Sequence, residues 1–235
     1  MWRDAFLVMQ KDMKIELKSK VVVNQVLPFG LVVIFLFGLA IGKVNTSALV
    51  TAGSNLSNGG ALKDASAGLF WLAVTMSAII GVQRSFAIET QDQARDALRL
   101  SALDPAGIFL GKAGALLIQL AVLELVLGLC ASFLFGMHIV TLWLFLLAAL
   151  LASISLCGVG VVYGALASGA RTRETLLPLL FFPVIAPVLL SATKACEAAI
   201  VGNPASGMIW IEILAVFSLC YLTLGIAAFG SLLEE

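Results

Sequence analysis

Charge is the commodity this sequence is shortest of. Charged residues occupy 12% of its 235 positions, 61% are apolar, and the mean hydropathy is +1.07. An ordinary soluble domain carries about 25% charge and 45–50% apolar residues. One soluble core could not hide so much apolar surface, so lipid is the solvent this composition calls for. Fourteen Lys and Arg balance fourteen Asp and Glu. Without a net field, nothing points to nucleic acid as a partner.

Catalytic signals are nearly as scarce. A single histidine, His138, excludes any multi-histidine metal site within one copy. We read it as an ordinary residue of a short outer turn, not as a ligand or proton shuttle. Cys130, Cys157, Cys196 and Cys220 are scattered through or beside apolar stretches and lack ligand spacing, so they read as small hydrophobic side chains. The pairs Gly42-Lys43 and Gly111-Lys112 lack the earlier glycine and the following hydroxyl of a phosphate loop. His-Glu-x-x-His and Gly-x-Ser-x-Gly are both missing. The reading is a membrane subunit with no catalysis of its own. No removable targeting peptide is expected either, because the first apolar run follows twenty mostly polar residues and is too long for a signal core.

What is present is long apolar runs. Six of them, at 21–41, 69–88, 106–135, 139–167, 175–193 and 209–232, are long enough to cross roughly 30 Å of hydrocarbon as helices. Arg84 makes the second the weakest, and the length of the third and fourth allows tilt. Alternate connections divide the cations unequally. Arg3, Lys11, Lys14, Lys18, Lys20, Arg84, Arg95, Arg99, Lys112, Arg171 and Arg173 fall on one side, and Lys43, Lys63 and Lys194 on the other. Eleven against three puts the amino terminus in the cytoplasm, and six spans return the carboxyl terminus there. The predicted fold is therefore all-α, a polytopic membrane protein with an interfacial helix at 1–20 and a six-helix domain at 21–235.

Four regions say more. In 1–20, Trp2, Phe6, Met9, Met13 and Leu17 recur at steps of three and four, while Arg3, Lys11, Lys14 and Lys18 occupy the rest. Such a helix lies in the interface plane against anionic head groups. The connection ETQDQARDALRLSALD, 89–104, holds good helix formers and both charge signs. It is either a docking helix for a soluble partner or an ordinary solvated loop helix. Asp104-Pro105 after it is an N-cap and first-turn pair. The stretch 43–68 is polar and reads as a mobile outer loop. Pro178, Pro183 and Pro187 each remove a backbone donor from the fifth span, predicting a kinked helix packed inside protein.

Glu124 is the carboxylate deep within an apolar span. It either marks a functional site facing the bundle interior or, protonated, serves as hydrogen-bonded glue between helices. The pairs Gly38/Gly42, Gly107/Gly111 and Gly160/Gly164 predict close helix packing.

The order of elements resembles a permease subunit of the ABC-2 type exporters. GVQRSFAIE at 81–89, LDPAGIFLGK at 103–112 and ARTRETLLPLLFFPVIAPVLLSATKA at 170–195 narrow it. They are similar to the haem exporter permease B family, CcmB, of cytochrome c maturation, with Arg84, Ser85, Phe86, Glu89, Arg171, Arg173, Glu174 and Pro178 as signature positions. The resemblance implies a homodimer in a bacterial inner membrane, joined to a CcmA-like ATPase that binds the ATP and Mg, to CcmC-like and CcmD-like membrane proteins, and to the haem chaperone CcmE. It implies that the complex handles haem while this subunit transmits force, literal haem export being the alternative. It makes 89–104 a coupling helix, with Arg95, Asp96 and Arg99 as charged contacts and Leu98 and Leu100 as apolar anchors. A secondary transporter would need coupling-ion carboxylates and repeated halves, and an intramembrane enzyme a facing nucleophile and base. The sequence offers neither set.

Overall fold

In hydrocarbon no water satisfies a backbone N–H or C=O, so a chain this apolar must close its hydrogen bonds within helices. A computed structural model describes residues 2–20, 22–52, 60–91, 104–136, 138–168 and 173–234. Among these residues there are seven α-helices and no strand. They are α1 (Trp2–Ser19), α2 (Leu27–Ala52), α3 (Gly60–Gln91), α4 (Pro105–Phe135), α5 (Leu142–Ser168), α6 (Arg173–Val201) and α7 (Pro204–Glu234). A five-residue π-helical turn, Val22–Val26, leads into α2.

Among the described residues, five segments are long and apolar enough to cross a membrane: Ala65–Ala87, Pro105–Phe135, Leu142–Ala167, Pro178–Val201 and Pro204–Ser231. The first predicted span lies in a bent pair, Trp2–Ser19 with Asn24–Ala40, whose halves meet at 57°, and counting that pair makes six. The chain is a multi-pass, all-α membrane protein.

Sequence chemistry explains several boundaries. Asp104 caps α4 as predicted, its side chain accepting from Ala106 N–H at 3.2 Å, with Pro105 in the first turn. Gly136 ends the same helix in the left-handed region at φ 61°. α1 stops at Lys20, itself left-handed at φ 53°, while the Glu16 carboxylate accepts from Val22 N–H at 2.6 Å. At the far end of the bundle, Val140 and Thr141 N–H both donate to the Ala199 carbonyl, which ties the turn holding exposed His138 to the end of α6.

α5 is the central helix and packs against α3, α4, α6 and α7. Its buried side is built from small residues (Ala148, Ala152, Ser153, Gly160, Gly164), which let neighbouring helices come close. At least one glycine of each predicted pair takes part in such a contact. A Cβ at Gly38 would stand 2.6 Å from the Phe135 ring, one at Gly160 2.8 Å from Val82, and one at Gly111 2.6 Å from the Ala5 carbonyl oxygen.

Three expectations need adjustment. The polar stretch at 43–68 is helical to Ala52 and again from Gly60, because a helix closes its own hydrogen bonds whatever its side chains; 53–59 lies outside the described residues. α6 runs as one helix through all three prolines. Its packed side is Phe181, Ile185, Val188 and Ala192, while Pro183 is exposed and Pro178 and Pro187 are half-buried, so the prolines avoid the tightest contacts. Tyr221 of α7 donates to the Val184 carbonyl at 2.7 Å, between the second and third proline, which braces the stretch where a helical donor is missing. α1, finally, has two working faces. Trp2, Phe6 and Leu17 are 82%, 60% and 70% exposed, as a lipid-facing stripe should be, but Ala5, Val8 and Asp12 are buried against α4.

Candidate functional site

Among the described residues, acidic and basic side chains are buried in this apolar bundle at two places. The first is where α1, α3, α4 and α5 converge. Lys112 lies in the second turn of α4 and is 3% exposed. Its ammonium sits 3.7 Å from Asp12 Oδ2 and 4.7 Å from the centroid of the Phe86 ring. Asp12, 8% exposed, also receives Lys11 on Oδ1 at 3.0 Å. A buried cation alone would be costly, and here a carboxylate and an aromatic face share it. Gly111 makes the approach possible, since any Cβ there would collide with the backbone of α1. Phe86 is held from its other side by Gly164 of α5, whose Cβ would stand 2.5 Å from Phe86 Cε2.

The second place is Glu124, buried on the α5-facing side of α4. Ser153 of α5 donates its hydroxyl to Glu124 Oε1. Cys157, one turn along from Ser153, is buried and lines a cavity of about 30 Å³ together with Ser77, Gln119 and Leu156. That is space for one water molecule. The pair satisfies the rule that an intramembrane carboxyl faces the bundle and finds a partner. Glu124→Gln keeps an oxygen that accepts from Ser153 and should leave thermal stability in detergent near wild type. Glu124→Ala removes the partner of a buried hydroxyl and should cost about 1–3 kcal/mol. If adding Ser153→Ala to Glu124→Ala doubles the loss instead of leaving it unchanged, the hydrogen bond does not join the two helices.

The family model described as CcmB protein matches residues 3–234. The chain belongs to the CcmB family. A Haemophilus influenzae protein named Heme exporter protein B is 26% identical over 204 residues, spanning 87% of this chain and 86% of that one. The Pseudomonas aeruginosa protein of the same name is 27% identical over 203 residues, spanning 86% and 85%.

In this CcmB chain the signature segments 81–89 and 103–112, although separated in sequence, meet through Phe86 and Lys112. Arg84 is exposed one turn from the end of the α3 span and Ser85 is half-buried. Glu89 continues α3. Arg173 and Glu174 open α6, and Pro178 follows in its second turn. Arg95, Asp96, Leu98, Arg99, Leu100 and Arg171 lie outside the described residues. Among the described residues no group of His, Cys, Asp and Glu is placed to hold a metal ion.

Reading the sequence alone missed Asp12, Ser153 and Gly164 as site residues. A signal for the first was there. Ala5, Val8 and Asp12 form a second stripe on α1, small and offset from the aromatic one, with an acid among lysines. For Ser153 there was none, since it is one of several serines in a span where hydroxyls also bond their own helix, as Ser155 does with the Leu151 carbonyl.

Proposed function

We propose that this chain is the permease subunit of an ABC transporter complex serving cytochrome c biogenesis in a bacterial inner membrane. Its role is to carry the conformational change of a separate ATPase to the handling of haem, or of a haem-loaded chaperone, on the periplasmic side. The observation that carries this reading is the family match across residues 3–234, with relatives named Heme exporter protein B aligned over most of the chain.

The residues support it in three ways. The missing phosphate loop assigns ATP and Mg to a partner of the CcmA kind. Eleven Lys and Arg against three place both termini, α1 and the start of α4 on the cytoplasmic side. The clustered charges of 89–104 then lie where a soluble ATPase would dock, with Arg95, Asp96 and Arg99 as contacts and Leu98 and Leu100 as anchors. The chain works as a homodimer beside CcmC-like and CcmD-like membrane proteins, and the haem chaperone is of the CcmE kind. The relatives' name favours a second reading, in which haem itself passes through this subunit.

Removing the chain from its host tests both. Force transmission predicts that c-type cytochromes disappear while the periplasmic chaperone accumulates with haem bound. Haem export predicts a chaperone that stays empty. Unchanged cytochromes, together with no ABC ATPase copurifying with the tagged chain, would end the permease reading.

A further inference from the structure

α1 is joined to α4 by contacts of three kinds over one short stretch. The backbones touch, because Gly111 admits the Ala5 carbonyl and Val8, whose Cβ is 2.7 Å from where a Gly111 Cβ would be. Side chains interlock beside it, with Met9 Sδ 3.2 Å from the corresponding point at Gly114. An ion pair crosses the same seam, Lys112 to Asp12 at 3.7 Å, both side chains more than nine-tenths buried. Phe86 of α3 closes over that ammonium. A helix that only floats among lipid head groups needs none of this, since its cations do better in water. Desolvating two charges is costly, and breaking such a pair leaves one of them stranded.

The other end of α1 is built differently. Lys20 holds a left-handed backbone that a side chain disfavours, and Val22–Val26 is π-helical, a coil that recurs at functional hinges. The cavity of about 30 Å³ lies directly against this turn, lined by Val22 and Val26 along with Ala78 and Val82 of α3. A firm joint on one side of α1 is thus followed on the other by an elbow that borders a cavity.

We infer, on the permease reading above, that α1 and the cytoplasmic half of α4 move as one body when the ATPase acts, and that the π-helical elbow takes up the motion against α2. Force entering at 92–103 reaches the end of α3 and the start of α4. The Asp12–Lys112 pair and the Gly111 seat pass it to α1, and α1 turns the first span. Asp12 and Lys112 are positioning residues in this scheme, acting through the helices they hold in register.

Two arms test it in the complex reconstituted in lipid. Asp12→Asn and Lys112→Met should each keep ATP hydrolysis within about twofold of wild type while chaperone release per ATP falls roughly tenfold. Exchanging the charges, Asp12→Lys with Lys112→Asp, should restore most of the release. Unchanged release in both single variants, or a loss of hydrolysis and release in equal proportion, overturns the inference. The second arm leaves the ion pair intact. Met9→Cys with Gly114→Cys brings two thiols within disulfide reach, and each single-cysteine variant controls for the native thiols. Oxidation should preserve release per ATP, whereas a loss on oxidation that reductant reverses would show that α1 and α4 must part. Absence of any ATPase from the wild-type complex would overturn this inference together with the permease reading, while the other adverse results overturn it alone.

Discussion

Leu98→Asp should strip the ATPase from this chain while leaving the chain in the membrane. On the permease reading, a subunit without a phosphate loop receives its energy through a protein contact, and 89–104 is the longest charged connection on the side that the Lys and Arg count assigns to the cytoplasm. This connection joins the end of α3 at Gln91 to the start of α4 at the capped Asp104-Pro105, so a push on 92–103 would be delivered to two spans at once. Leu98 and Leu100 are the proposed apolar anchors for a groove there. Truncating a buried anchor typically costs about 2 kcal/mol or more, roughly a thirtyfold loss of affinity, and an aspartate adds the desolvation of a charge. Arg95→Glu with Arg99→Glu should act more gently, slowing association in a salt-dependent way, as rim charges do. Copurification of the ATPase and the yield of cytochrome c measure both effects, with the amount of chain in the membrane as the control. Wild-type values in both variants would assign the coupling to another surface.

Gly164→Leu should be strongly damaging to the bundle. The first added atom would stand 2.5 Å and 2.6 Å from two carbons of the Phe86 ring and 3.0 Å from Val82 Cγ1. Phe86 has little room to retreat, being 6% exposed and seated against Lys112. The larger side chain must push α3 away from α5, and overpacking of this kind costs about 1–3 kcal/mol even where a core partly yields. Three further carbons should carry Gly164→Leu to the top of that range or past it. Gly164→Ala should lose less, and adding Phe86→Leu should recover part of the loss by vacating the ring's edge. The thermal midpoint in detergent and the monodisperse fraction report this directly. An unchanged midpoint for Gly164→Leu would mean that α3 and α5 do not meet at Phe86.

Local quantities were legible in the sequence. The six apolar runs, the cap at Asp104-Pro105 and the exposed aromatic stripe of α1 each depend on residues within a turn or two of one another. The second span accommodates Arg84 because the residue is exposed close to the end of the span, where a long cationic side chain can extend to the head groups. Some boundaries moved. α6 runs on to Val201, past the apolar run at 175–193, and α7 starts at Pro204, ahead of the run at 209–232, because a helix continues past the point where hydropathy falls.

The amino-acid sequence by itself thus determined the class of protein, its helices and its family. In hydrocarbon the backbone has almost no alternative to the helix, and the lengths and signatures are written along the chain. Tertiary structure alone decided which sides of those helices meet. Lipid tails are as apolar as leucine, so hydropathy does not distinguish a face turned to lipid from one turned to protein. Adjacent Trp143 and Leu144 of α5 are 52% and 0% exposed, yet nothing in their apolar character separates them. The same indifference hid Ser153 beneath Glu124, Gly164 beneath Phe86 and Asp12 beside Lys112. Each of these pairings joins distant segments through the shape of small residues and the need of a buried charge or carboxyl for a partner, and only packing brings the partners together.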